Sequence, residues 1–363
     1  MATKTHKAVV TASIRGALEI LEVPTVAPGA GEVLVRVEWT ASTPLDLHQN
    51  DGGLLVTHPQ VLGDGTSGTV VEVGDGVKKL QVGDKVFGFT WREQKEKSHQ
   101  EYVTVPEYLL GKIPQGFTPQ EAVTLPNNVV SSFHALTKDL SIPLPWPILP
   151  STPKPEHSNS PILIWGGSSS VGQYALQILR HWGYSNLITT SSPSHNTLLK
   201  SLGATQVFDY RSPDCIPSIL DSVSSSGGLK FVLDCIGSQD GSLTPISKLV
   251  GKGARVAVLL PVIVRDGSET VEPIYALDAK EAVEWADGVD VRGVRTHFYL
   301  ENEVFKERLQ PEIMPTLLAE GIIKPNKYRV VEGTTLLERA QAALDALRRK
   351  EVSGERLVWK VAE

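Results

Sequence analysis

A chain of 363 residues is too long for one hydrophobic core and suits two domains. Hydrophobic residues at 41% and charged residues at 21% give ordinary globular composition, and a net charge of −6 offers no footing for nucleic acid or an anionic membrane. No apolar run approaches the roughly 20 residues of a membrane span, the opening Met1-Ala2-Thr3-Lys4 lacks an apolar secretory core, and two cysteines, Cys215 and Cys235, make no disulfide framework even though they could pair; the expected setting is the cytoplasm.

The first 125 residues read as short strands divided by Gly, Pro and Asp turns. In 32–40, Val33, Val35, Val37 and Trp39 share one face while Arg36, Glu38 and Thr40 point away, a half-buried strand. The stretches 68–73, 85–89 and 101–105 behave alike, with Gly74-Asp75-Gly76 and Gly83-Asp84 as turns. Helices are nearly absent, so a small barrel is expected. The sign-alternating run Arg92 to Lys97 reads as a solvated loop.

Thr118-Pro119-Gln120-Glu121 is a helix start, with proline in the first turn and an acid at the positive end. A second helix is expected over 128–139. The segment 142–161 holds seven prolines and is neither helix nor central strand; it reads as a stiff surface loop before the next domain. From Ile162 strand and helix alternate, with strands at 162–165, 187–190, 206–208, 231–235 and 255–260, the rhythm of a doubly wound parallel sheet. Leu337, Ala340, Leu344 and Leu347 mark a late amphipathic helix, and 355–362 alternates as a strand that can return to the first domain.

Gly166-Gly167-Ser168-Ser169-Ser170-Val171-Gly172 lies between a buried strand and an apolar-faced helix. Free N–H groups and the helix dipole make such a turn a phosphate site. Gly167 suits the tight turn, Gly172 close packing of helix on sheet, and the serine hydroxyls add donors. A dinucleotide site for NAD carries an acid at the end of the second strand to bind the ribose diol. Here no Asp or Glu occurs from Gly166 through Phe208, and the strand ends in Ser191-Ser192-Pro193-Ser194-His195 with Lys200 beyond. Those groups suit a 2′-phosphate, so NADPH is expected over NADH; a helix cap by Ser192 or Ser194 is the alternative use of the same hydroxyls.

These features, with Val82-Gly83-Asp84-Lys85-Val86 and Leu125-Pro126, resemble the medium-chain dehydrogenase/reductases, and within them the zinc-free fungal enoyl reductases that include trans-acting partners of polyketide synthases. The likeness to that subgroup lies in the Gly-rich turn, the proline-rich insertion, Val207-Phe208-Asp209-Tyr210 and Ser353-Gly354-Glu355-Arg356-Leu357-Val358. The resemblance implies an α/β fold, with a GroES-like β-barrel over 1–125 to which 325–363 returns, and a doubly wound, parallel-sheet Rossmann domain over 126–324. It implies cofactor contacts from Leu45, Asp46, Leu47 and His48 in Thr43-Pro44-Leu45-Asp46-Leu47-His48, near the nicotinamide; from Ser192, Pro193, Ser194, His195 and Tyr210, around the adenosine phosphate; and from Leu259, Leu260, Ser353 and Gly354. Thr43 stands for the family's usual Asn, His48 for a frequent Lys and Ser131 for a frequent Thr, and Leu62-Gly63-Asp64-Gly65 lacks the acid usual at position 65.

Neither cysteine lies in the N-terminal part, which rules out a four-cysteine structural zinc there, and His48, His58 and Asp64 each read as loop or surface residues, so no metal is expected. Three functions stay open: reduction of a carbon–carbon double bond conjugated to a carbonyl, quinone reduction, and a non-enzymatic NADPH-binding role. The first is favoured, with an α,β-unsaturated carbonyl or acyl substrate, a polyketide synthase as a conceivable partner, and either a monomer or a homodimer. Without zinc the developing enolate needs hydrogen-bond donors. Ser131 is one candidate, the cofactor's ribose hydroxyls oriented by Asp46 or His48 another, and His48 can relay a proton or simply contact cofactor or water.

Overall fold

The computed structural model describes residues 4–268 and 270–362, so the Met1–Thr3 start read above for a secretory signal lies outside the described residues. The chain forms two compact units, Met1–Asn127 with Gly267–Glu272 and Leu300–Glu363, and Asn128–Asp266 with Pro273–Tyr299.

The first unit is built on strands. β1 (Thr5–Thr11) pairs antiparallel with β2 (Leu18–Pro24). β3 (Glu32–Ser42) is the centre of a larger sheet. Helix α1 (Pro44–Gly52) and the short β4 (Gln60–Val61) lead to β5 (Gly65–Val73), β6 (Lys85–Phe89), β7 (Tyr102–Pro106) and β8 (Gly111–Lys112). β3 pairs with β5 and β7, and the late strand Arg356–Lys360 closes on its other end, Leu357 opposite Ser42 and Trp359 opposite Thr40. The alternating C-terminal segment therefore does return to this unit. Trp359 is fully buried there, and its indole N–H donates to Ser42 Oγ at 2.9 Å.

Alternation along β3 is not strict: Leu34 is buried between Val33 and Val35, where the register first shifts. Val33, Val35 and Val37 are fully buried, but the register shifts again between Val37 and Trp39. Such a bulge adds one residue and turns later side chains over. Trp39 is half-buried and Thr40, expected to point away, is buried, with its hydroxyl donating to the Gly65 carbonyl at 2.7 Å. The Arg92–Lys97 run is a solvated loop only in its first half, where Arg92, Glu93 and Gln94 are exposed. Gln94–Glu96 is a 3-10 turn, Glu96 is fully buried, and the Arg92 guanidinium grips its carboxylate with Nη2 2.6 Å from Oε1. Alternating charge did not reveal this, because the pair is made four residues apart across a tight turn.

Thr118 caps helix α2 (Pro119–Ala122), with Glu121 reaching back to its N–H. The late helix Leu336–Arg348 begins with the same device at Thr335 and Glu338. It buries Leu336, Ala340, Ala343 and Leu344 against the barrel valines, each leucine contributing roughly 1.5–3 kcal/mol.

The second unit is a six-stranded, all-parallel sheet. Helix α3 (Pro126–His134) runs on as a single wide, π-type turn, Ala135–Asp139. Then β9 (Ile162–Trp165), helix α4 (Ser170–His181), β10 (Leu187–Thr190), helix α5 (Asn196–Leu202), β11 (Gln206–Phe208), helix α6 (Cys215–Val223), β12 (Phe231–Asp234) and β13 (Arg255–Leu259) follow. The spatial order is β11-β10-β9-β12-β13, with Asp290–Val294 at the far edge. Strand order reverses at β9, and in such sheets ligands bind outside the carboxyl ends of the strands at that point. β9, β10 and β12 are buried along their length, β9 as an unbroken apolar run and the other two with polar residues, Thr189, Thr190 and Asp234, buried at their carboxyl ends.

The proline-rich segment packs against the end of α4. The Trp182 indole donates to the Pro145 carbonyl at 2.8 Å and the Tyr184 hydroxyl to that of Pro143 at 3.1 Å. Cys215 and Cys235 are both free thiols. Among the described residues no helix is long and apolar enough to cross a membrane.

Candidate active site

The Gly-rich turn leaves the carboxyl end of β9. Gly166 carries the left-handed backbone, φ +83°, so the freedom that a side chain would deny is needed here and not at Gly167. Gly167 is small for another reason: a Cβ there would meet Thr189 Oγ1 at 2.0 Å. One on Gly172 would meet the Gly166 carbonyl at 2.6 Å, so α4 starts in contact with the turn itself. Ser169 is the N-cap of α4 and accepts from the Gly172 N–H at 3.1 Å. Ser168 and Ser170 are half-buried beside it, and Val171 is buried. The first N–H groups of a helix have no partner within it, so the turn presents donors and a positive dipole end to an anion. Thr190 fixes the turn, its hydroxyl accepting from the Gly166 N–H at 3.0 Å. At the end of β12 the buried Asp234 accepts from Ser242 Oγ at 2.6 Å and the Ile236 N–H at 2.9 Å, and burial lifts its carboxyl to about 6.

At the end of β10, Ser192 and His195 are half-buried and Pro193, Ser194 and Lys200 exposed. Neither serine caps a helix through its side chain. Pro193–His195 is a single 3-10 turn, and His195 occupies the N-cap of α5. The Ser192 hydroxyl is taken instead by Arg211, whose Nη1 donates to it at 3.0 Å. The same guanidinium lies over the Tyr210 ring, 4.8 Å from its centroid. Arg211 escaped the sequence reading, although it directly follows Tyr210; its partner is 19 residues away and on another strand end. Leu259 and Leu260 are half-buried where β13 ends. Ser131, on α3, is half-buried and its Oγ lies 2.9 Å from Thr296 Oγ1.

In the first unit the Thr43–His48 segment is the first half of α1. Its sequence carries no amphipathic stripe, so its ends define it: Pro44 at the first position, Asp46 accepting from the Thr43 N–H at 2.8 Å, and Gly53 in a left-handed conformation at the close. The other Asp46 oxygen accepts from the Gly63 N–H at 3.1 Å. Asp46 is buried, and Leu45, Leu47 and His48 are half-buried. Both Asp46 oxygens thus hold backbone. Asp64 is no surface residue: it is 5% exposed, with Oδ2 accepting from the Asn127 amide at 3.2 Å. His58 is half-buried, and Ser353 and the half-buried Gly354 (φ +67°) form the turn before the closing strand. Among the described residues no three His, Cys, Asp or Glu side chains converge as a ligand set.

The alcohol dehydrogenase GroES-like domain family matches residues 29–132, and the family described as zinc-binding dehydrogenase matches residues 170–260. The trans-enoyl reductase himH of Aspergillus japonicus is 31% identical over 340 residues, covering 91% of this chain and 90% of its own. The chain belongs to the medium-chain dehydrogenase/reductase family. Another relative is lovC of Aspergillus terreus, the enoyl reductase component of lovastatin nonaketide synthase, 30% identical over 91% of this chain and 89% of its own. The fold is shared with solved medium-chain dehydrogenase/reductases. A putative zinc-dependent alcohol dehydrogenase from Rhizobium etli superposes with a TM-score of 0.74 at 21% identity over the full length of both chains. The enoyl reductase CurK does so with 0.73 at 18%, covering 98% of this chain and 99% of its own. The GroES-like and Rossmann architecture expected from the sequence is therefore present, and this medium-chain dehydrogenase/reductase is an oxidoreductase whose curated relatives include trans-enoyl reductases.

Proposed function

We propose that the chain is an NADPH-dependent, zinc-independent enoyl reductase, acting on a carbon–carbon double bond conjugated to a carbonyl. The observation that carries this reading is the likeness to trans-enoyl reductases along nine-tenths of the chain. When bound, NADPH would supply hydride chemistry at the β-carbon, and a proton would reach the α-carbon or the carbonyl oxygen. The turn Gly167, Ser168, Ser169, Ser170 and Val171 holds the diphosphate through N–H donors at the start of α4. Ser192, Pro193, Ser194, His195, Lys200 and Tyr210, joined by Arg211, form the 2′-phosphate end. Charge-assisted bonds to such a phosphate contribute about 1.5–3 kcal/mol each. Leu259, Leu260, Ser353 and Gly354 complete the cofactor's contacts.

His48 and Ser131 are the side-chain donors assigned to the reaction, His48 as a proton relay and Ser131 as a hydrogen-bond donor to the developing enolate. Asp46 is assigned a positioning role, because both of its oxygens are committed to backbone N–H groups. Zinc independence rests on the donor set: no three His, Cys, Asp or Glu side chains that could hold a metal converge among the described residues. The relation to a synthase component extends the proposal to an acyl substrate carried by a polyketide synthase. Reduction of an enone or enoyl thioester with deuterated NADPH in ordinary water tests the assignment. Deuterium at the β-carbon is expected. Deuterium on an alcohol carbon with the double bond intact marks a carbonyl reductase, turnover of quinones alone marks a quinone reductase, and no oxidation of NADPH with any acceptor leaves only a binding role. Activity abolished by a chelator and restored by zinc overturns the metal-free reading.

A further inference from the structure

Two carboxylates lie together inside the barrel unit where α1 meets the β4–β5 connection. Asp46 is 3% exposed and Asp64 is 5% exposed. The Asp46 carboxylate is clamped between the N–H groups of Thr43 and Gly63, so it is held one residue from Asp64 along the backbone. Asp64 binds the Asn127 amide through Oδ2, while its Oδ1 is buried with no hydrogen-bond partner. His99 lies 3.9 Å from Asp46 through Nε2, packs edge-on against the buried Trp359 ring and is kept neutral by burial. The half-buried Lys97, on the same segment, and Arg356, on the closing strand, are the cations that face the pair.

We propose that Asp46 and Asp64 form a coupled acid pair in which Asp46 is the charged, helix-capping partner and Asp64 holds the proton. A bare carboxylate oxygen without a donor is costly in such surroundings, whereas the carboxylic acid carries no charge. Burial, then the neighbouring Asp46 charge, raises the Asp64 carboxyl to about 7, and burial raises that of Asp46 to about 6. Both lie above their unfolded values. The proton therefore stabilises the folded state below the ordinary carboxylate range, and that stability is lost as pH rises through about 7. Ionising the pair sets two charges against each other across the Thr43–Gly63 clamp, which is where α1 and its His48 are anchored. The pair is a positioning device for that helix, and the inference does not depend on the reaction assigned above.

The test needs neither cofactor nor substrate. The full-length wild-type protein and Asp64→Asn, which mimics the neutral acid in shape, are unfolded thermally from pH 5 to 9, and their infrared spectra are recorded. The wild type is expected to show a protonated-carboxyl carbonyl band that fades as pH passes about 7, with a fall of a few degrees in unfolding temperature. Asp64→Asn is expected to lose the component of that band that fades near pH 7 and to flatten that part of the curve. Asp139→Asn, at another raised buried acid, is expected to leave the Asp64 band in place. A wild type without the band near pH 6, or an Asp64→Asn protein with an unchanged pH slope, overturns the proposal. If Asp64→Asn does not fold, Asp46→Asn serves: removing the neighbouring charge is expected to move the fading of the band to lower pH, and an unmoved band overturns the pair.

Discussion

The Gly-rich turn of one unit and the Thr43–His48 helix of the other are both short and polar, and both are assigned to the cofactor end of the chemistry, but they are specified in different ways. The turn is local. Gly166 needs its positive φ, Ser169 caps the helix three residues on, and Gly172 touches the turn it has just left. The helix is held from afar. Asp46 reaches Gly63, and in the helix's last turn Asp51 accepts from Arg348 at 2.7 Å, 297 residues on. A site built from near neighbours is sensitive to single steric changes, and one built from distant partners is sensitive to removal of charge.

The largest effect is expected at Gly167→Val. A β-branched side chain would enter the space of Thr189 Oγ1, and dinucleotide affinity should fall roughly a thousandfold, about 4 kcal/mol, by titration calorimetry. Retained affinity would break the claim that local sterics govern the turn. Arg92→Ala tests the opposite regime. It strands the fully buried Glu96 without its partner, and unfolding in urea should show a loss of about 3 kcal/mol, the low end for a broken buried pair because Arg92 is partly exposed; a loss under ~0.5 kcal/mol would return the run to the solvated class. Arg211→Ala is expected to lower the ratio of kcat/KM for NADPH over NADH by about 10- to 100-fold, or roughly 1.5–3 kcal/mol, with NADH kinetics little changed. An unchanged ratio removes Arg211 from the 2′-phosphate end. Thr335→Ala is the smallest, about 1 kcal/mol of stability for a lost cap, with the cofactor ratio unaffected.

Residues whose partners lie close in sequence were readable. The Thr118 cap, the strand–turn–helix at Gly166 and the amphipathic late helix all follow from spacing. The π-type continuation at Ala135–Asp139 shifts helical spacing without a warning residue, so the expected helix over 128–139 is one α-helix followed by a wider turn. The bulge at Val37–Trp39 has no sequence mark either, since valine alternation continues to the point where the backbone departs from it. Asp64 is a loop residue as read, but its burial was not legible because nothing near it in sequence announces Asn127 or Asp46, and Arg211 was passed over because its meaning lies in Ser192.

The proline-rich insertion has a consequence for handling the protein. Proteases preferentially nick exposed loop tips whose backbone is not tied down. Here the entry half, Pro143 to Pro145, is tied by the side chains of Trp182 and Tyr184, and the exit is tied by the Ser185 N–H on the Ser158 carbonyl at 2.8 Å. An exposed connection that would ordinarily be the first place nicked should survive limited digestion, and an affinity tag or fluorophore placed near the exposed Pro150 and Ser151 would ride on a segment stiff enough to report the tumbling of its own unit.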